Sequence, residues 1–197
     1  MKYKGQYTKA LVIVHGKSEE QICKYIKSNL KLKMEIYKNT KSSIQINDLK
    51  NLINNQVFKS KRSFLKTYDD IEVEKGKLKN FKIFIIMDTD DCTKEAKEKF
   101  INKSMFKNHW AEEYIVPIYN NNNLEDAMKA IGIDVKKDEK RKYLRIFPTD
   151  KKYLQCKSDI IQIENMIKDI QSVKNSKSIT NLDEFLDYCL KCTECLK

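Results

Sequence analysis

An apolar strand that ends abruptly in acid constrains this chain more than any other feature. Phe84-Ile85-Ile86-Met87 runs straight into Asp88-Thr89-Asp90-Asp91, three carboxylates within four residues. Isoleucine-rich runs without polar alternation form strands buried on both faces, as in parallel sheets covered by helices on each side. The acidic residues then fall at the strand's C-terminal end, where open α/β sheets carry their ligand sites. Carboxylates this close repel one another, so the arrangement calls for a positive charge nearby. A divalent metal ion meets that need economically.

The remaining pattern fits the same kind of sheet. Leu11-Val12-Ile13-Val14 predicts a first buried strand, followed by a turn at His15-Gly16-Lys17-Ser18. Ser18 with Gln21 has capping-box spacing, and Ile22, Cys23, Ile26 and Leu30 recur at helical spacing. Met34 to Tyr37 predicts a short strand and Leu49 to Phe58 a helix, whereas Phe64 to Glu74 gives no clear pattern. Lys82 to Met87 is the acid-ending strand, and Thr93 predicts a cap for the helix that follows. Tyr114 to Ile118 predicts a third strong strand, then come Asn120 to Asn123 and a helix over Leu124 to Ala130. The lysine-rich stretch Lys136 to Lys142 reads as a solvated helix or loop. Tyr153, Cys156, Ile160, Ile163, Ile167 and Ile170 form one amphipathic stripe, Asn175 to Lys177 a linker, and Asn181 with Glu184 a second capping box before the last helix. Strands alternating with helices predict a three-layer α/β domain, Rossmann-like, with a mostly parallel central sheet and C-terminal helices. The expected division is an α/β domain over 1–135 and a helical extension over 136–197 packed on it.

Charge bears on partners. The net charge of +11 favours polyanions, nucleic acid above all. The basic residues are almost all lysine, beside abundant Asn and Ile, which an AT-rich genome also produces. No run approaches the ~18–20 apolar residues of a membrane span, and the first residues lack the apolar region of a signal peptide. A cytoplasmic location and no membrane partner are expected. In that setting the six cysteines are not read as a disulfide framework. Cys189, Cys192 and Cys195 have metal-ligand spacing, but Cys189 continues the apolar stripe of Leu182, Phe185, Leu186 and Leu190, so a plain helix end is the better reading.

Three strand ends carry unusual polar groups: His15-Gly16-Lys17-Ser18-Glu19-Glu20, then Asp88, Asp90 and Asp91, then Asn123-Leu124-Glu125-Asp126. In a parallel sheet such ends share one edge. Carboxylate oxygens clustered there suit Mg²⁺, which retains waters and binds substrate phosphates. Lys17 at a helix start can contact a phosphate. The bland alternatives are ordinary: aspartates favour turns, Glu125 suits a first helical turn, Lys17 is one lysine among many, and His109-Trp110 reads as a half-buried surface pair.

This ordered set resembles the Toprim domain of topoisomerases, primases and OLD-type nucleases. The strand followed by Gly16-Lys17-Ser18-Glu19, and the later strand followed by Asp88-Thr89-Asp90, carry the resemblance over roughly residues 9–131. Asn123-Leu124-Glu125 is similar to a metal-holding segment of OLD-like members. The resemblance implies a nuclease or phosphodiesterase dependent on Mg²⁺ or Mn²⁺. Glu19, Asp88, Asp90, Asp91 and Glu125 would serve the metal, and Gly16 and Lys17 the phosphate. One departure matters: the family's first-strand glutamate falls on His15. Histidine there can act as a base, ligate a transition metal and favour Mn²⁺, or mark a degraded site, with Glu19 or Glu20 one turn on as a replacement carboxylate. The alternative function is an inactive Toprim-like module binding nucleic acid or a partner protein, as in phage defence; a homodimer is a further option.

Other acidic-string folds fit less well. Haloacid-dehalogenase-like phosphatases place a threonine where Cys92 stands. Receiver domains need an acidic pair where Val14-His15 is found. Gly16-Lys17-Ser18 lacks the upstream glycine of a Walker loop, since position 11 is Leu11.

Overall fold

The computed structural model describes residues 7–39, 42–135, 141–149, 159–173 and 175–194. Residues 136–140 of the lysine-rich stretch, the stripe positions Tyr153 and Cys156, and Cys195 lie outside the described residues.

The central sheet is built from β1 (Ala10–Val14), β2 (Met34–Tyr37), β5 (Lys82–Asp88) and β6 (Ile115–Asn120). Its order is β2-β1-β5-β6, with every neighbouring pair parallel. The short strands β3 (Val73–Glu74) and β4 (Lys77–Leu78) form a separate antiparallel hairpin. Along β1, Ala10, Val12 and Val14 enter one buried cluster and Leu11 and Ile13 the other. Along β5, Phe84 and Ile86 join the first cluster, and Ile83, Ile85 and Met87 the second. The apolar runs are thus continuous because both faces are covered.

The layers follow from the connections. Helix α1 (Lys17–Asn29) joins β1 to β2 and lends Ile22, Cys23 and Ile26 to the first face. Helices α2 (Leu49–Ile53), α3 (Lys61–Thr67) and α4 (Lys94–Ile101) lend Leu49, Phe64 and Phe100 to the second. The chain moves outward from β1 to β2, then crosses back to lay β5 and β6 on β1's other side. Crossovers of one hand, reversed in direction, put their helices on opposite faces. The switch point lies between β1 and β5. The first face is completed by α5 (Leu124–Ala130), α6 (Tyr143–Ile146), α7 (Asp159–Ser172) and α8 (Leu182–Glu194). Phe185 of α8 meets Phe84 edge to face at 5.0 Å. No helix among the described residues is long and apolar enough to cross a membrane. The architecture is α/β with a parallel four-stranded sheet between helical layers.

Several local expectations are corrected. The helix over Leu49 to Phe58 stops at Ile53, because the Asn55 side chain accepts from the N–H groups of Val57 and Phe58 at 2.8 and 3.0 Å and folds the chain into a turn. Ser18 does not cap α1. The N-cap is Gly16, and Glu19 returns its carboxylate to the Gly16 N–H at 2.9 Å. Asn181 and Glu184 form no capping box either: the Asn181 side chain turns to the sheet, accepting from Tyr119 N at 2.8 Å and donating to the Pro117 carbonyl at 3.0 Å. The segment without a clear pattern holds part of α3, which Ser60 caps through the Ser63 N–H. Thr93 caps α4 as expected, accepting from the Ala96 N–H at 3.2 Å.

Candidate functional site

Strand register brings the acidic end of β5 against its neighbours. Asp88 is the last residue of β5 and lies opposite Asn120, the last of β6. It continues the side of β5 that carries Phe84 and Ile86, so it faces α1 and α5 rather than solvent, and is 8% exposed. Asn120 donates its side-chain N–H to Asp88 Oδ1 at 3.0 Å. Thr180, just before α8, donates its hydroxyl to Asn120 Oδ1 at 3.0 Å and accepts from the Leu182 N–H at 3.1 Å.

His15 follows β1 and extends its ladder, donating its backbone N–H to the Ile86 carbonyl at 2.9 Å. Its Nδ1 lies 2.8 Å from the Ile44 carbonyl. A carbonyl only accepts, so Nδ1 carries the proton, and Nε2 turns to Asp88 Oδ2 at 4.0 Å. Glu19 and Glu125 stand in the first turns of α1 and α5 and are both buried. Ser18 links the two helices, its hydroxyl donating to Glu125 Oε1 at 3.4 Å.

The electrostatics confirm how crowded this edge is. Burial first, and the Glu19 charge next, push the Asp88 carboxyl up to about 7, with Asp90 adding to the rise; the Asn120 hydrogen bond and His15 pull the other way. No lysine or arginine is among the groups that set it. Glu20 has a different environment. Lys24 and Lys38 reach it at 2.7 and 2.8 Å. Burial raises its carboxyl, but these two partners together outweigh that and hold it below the usual range.

The sequence-selected residues therefore divide. His15, Glu19, Asp88 and Glu125 gather at the ends of β1, β5 and the starts of α1 and α5. Asp90 is exposed but close enough for its charge to act on Asp88. Asp91 is exposed, and its charge acts on Cys92. Gly16 holds Glu19 in place, and Lys17 points out to the surface. Glu20 belongs to the lysine side of α1. Asn120 stood in the asparagine run without being read as a site residue, and Thr180 and Tyr143 had no sequence signal. Tyr143 of α6 is buried, and the charges of Glu125, Glu19 and Asp88 all act on its phenol.

The asparagine run has four separate duties. Asn120 holds Asp88. Asn121 accepts from Lys97. Asn122 adopts a left-handed backbone, φ 62°, and its carbonyl accepts from Thr89 N at 2.8 Å and Asp90 N at 3.0 Å. Asn123 caps α5 by accepting from Asp126 N at 3.0 Å. The loops after β5 and β6 are latched together by these bonds.

Among the described residues, no group of three or more His, Cys, Asp or Glu side chains is spaced to hold a metal ion. The donor chemistry of the cluster nonetheless suits a hard divalent ion: three buried carboxylates, one of them, Asp88, raised by burial and by Glu19, with no lysine or arginine among the groups that set it. No family model, no curated protein and no solved structure matches this chain.

Proposed function

We propose that this protein is a Toprim-like phosphodiesterase or nuclease that acts on nucleic acid with a divalent ion, Mg²⁺ or Mn²⁺. The observation that carries the reading is the group of buried carboxylates Glu19, Asp88 and Glu125, with Glu19 raising Asp88, at the switch point of a parallel sheet in a chain of net charge +11. Glu19, Asp88 and Glu125 would hold the ion, helped by Asp90. When bound, the ion supplies charge neutralisation and polarises a phosphoryl oxygen.

The chain's own groups account for the rest. His15 is held by the Ile44 carbonyl so that Nε2 can take a proton. Water oxygen bonds to phosphorus, its proton passes to His15 Nε2, and the phosphorus–oxygen bond to the leaving group breaks. The departing oxygen takes a proton from solvent. Asn120 and Thr180 keep the Asp88 carboxyl in one orientation.

The test is incubation of single- and double-stranded DNA and RNA with the protein and Mg²⁺ or Mn²⁺. Cleavage that Asp88→Asn abolishes is expected, with a rise in melting temperature when Mn²⁺ is added to the wild type alone. Absence of cleavage with both ions, or cleavage that persists in Asp88→Asn, overturns the reading. A second reading, a non-catalytic module that binds nucleic acid or a partner, is favoured by His15 at the place of the family's glutamate and by the lack of a three-ligand group among the described residues. Nucleic-acid binding without turnover, and without Mn²⁺ uptake by calorimetry, would select it.

A further inference from the structure

Beside the acidic centre runs a groove of about 290 Å³ between α1 and α6, lined by Lys17, Ser18, Gln21, Arg141, Tyr143 and Leu144 among others. Its volume falls at the lower end of small-ligand sites, ~300–1,000 Å³. It suits a single nucleotide unit and is too small for a base pair. Its cations are not all engaged. Lys24 and Lys38 are tied to Glu20, whereas Lys17 and Arg141 make no ion pair among the described residues. Lys17 and Ser18 are the first residues of the 13-residue α1, whose N-cap N–H, that of Gly16, is taken by Glu19. Leu144, 56% exposed, gives the groove an apolar lip.

The second observation is independent of these charges. Tyr143 is 1% exposed, yet among the described residues its hydroxyl has no hydrogen-bond partner. Phe147 stacks on its ring at 6.1 Å, and Gln21 donates to the Phe147 carbonyl at 2.7 Å, so the ring is fixed against α1. A phenylalanine would fill this space without burying an unpaired hydroxyl, which is a costly arrangement. Burial and the charges of Glu125, Glu19 and Asp88 hold the phenol protonated. It is therefore a standing hydrogen-bond donor between groove and carboxylates.

We infer that this groove is the subsite for one nucleotide of a single-stranded nucleic acid, with Lys17 and Arg141 on its phosphate and the Tyr143 hydroxyl donating to the same strand where it enters the acidic centre. The inference rests on the phosphodiesterase reading for the identity of the strand, but its binding test needs no turnover.

The probe is a short fluorescein-labelled oligodeoxythymidine, titrated in EDTA and followed by anisotropy. The Lys17→Ala/Arg141→Ala double variant is expected to bind about tenfold more weakly with a shallower salt dependence. A Lys66→Ala/Lys107→Ala variant, equal in charge change but on the opposite face of the sheet, is expected to bind nearly as the wild type does. Tyr143→Phe is expected to keep or raise the melting temperature while binding several-fold more weakly. Equal losses in the two double variants overturn the subsite, since general charge then explains the binding. A Tyr143→Phe protein with unchanged binding and a lower melting temperature overturns the donor role. Groove-dependent binding without cleavage in Mg²⁺ or Mn²⁺ removes the phosphodiesterase reading and leaves the subsite. Cleavage that is indifferent to all three groove residues, with unchanged binding, does the reverse.

Discussion

The Asp88 carboxyl is held by Asn120, which is itself held by Thr180, so side chains from β5, β6 and the turn before α8 form one buried hydrogen-bonded line. That line orients a group whose ionisation is opposed by burial and by Glu19. The consequence is a pH dependence of stability. Folded Asp88 releases its proton near 7, against an ordinary value of 3.8. Below about 4 both folded and unfolded chains hold the proton, and this contribution to stability is complete. Between the two values only the folded chain holds it, so stability falls as pH rises and the contribution is gone above about 7. The metal-free protein should lose at most on the order of 4 kcal/mol across this window from Asp88 alone. His109 works in the opposite sense, because burial lowers its value below 6.5 and its contribution grows as pH rises. The comparison that isolates Asp88 is therefore wild type against Asp88→Asn in EDTA. The melting temperature of the wild type, relative to the variant, is expected to drop steadily between pH 5 and 8. A constant difference across that range would show that Asp88 is ionised in the folded protein throughout.

Among the elements, α5 most clearly joins local sequence to the site. It starts where Asn123 accepts from the Asp126 N–H, and that start sets Glu125 in the first turn beside Ser18. Asn123→Ala removes the cap and should cost about 1 kcal/mol, or ~2–4 °C in melting temperature for a chain of this size. Asn123→Ser should recover most of the loss, and an unchanged melting temperature in Asn123→Ala would show that α5 is fixed by packing alone. The caps also show what the sequence made legible. Thr93 announced a helix start because cap and first turn are neighbours in sequence. Ser18 misled for the same reason: Ser-x-x-Gln has the spacing, but Gly16 already takes the extended N-cap conformation and Glu19 reaches its N–H first. The strand ends His15 and Asp88 were legible because apolar runs stop there, and Glu125 because it opens the helix after the next strand. Tyr143 and Thr180 were not, since each meets the site across a long sequence separation and sits in no periodic pattern. The partition of Glu19 from Glu20 was equally hidden, as adjacent helical residues differ in facing by about a third of a turn.

At the scale of the whole molecule, the sheet separates two buried clusters, and the C-terminal helices supply a large part of the first. Ile163, Met166 and Ile170 of α7 and Leu182, Phe185 and Leu186 of α8 share it with Val12, Val14, Phe84 and Ile86. Tyr188 of α8 donates its hydroxyl to the Lys9 carbonyl at 2.8 Å, just before β1. Face, site and helices are thus one packed unit, because the line from Asp88 through Asn120 ends at Thr180, which accepts from the first N–H of α8. Such a unit should unfold in one step. Phe185→Ala leaves a cavity against Phe84 and should cost ~3–5 kcal/mol. In urea the midpoint should fall while the slope stays the same, and far-ultraviolet dichroism should report the same transition as Trp110 fluorescence. Trp110 lies on the second face, with its indole N–H on the Phe58 carbonyl, so it responds only if the disturbance crosses the sheet. If α8 instead unfolded first, Trp110 would keep the wild-type midpoint and dichroism would show two steps. Residues 136–197 would then fold as a unit of their own, and Asp88 would lose its Thr180 tether without loss of the sheet.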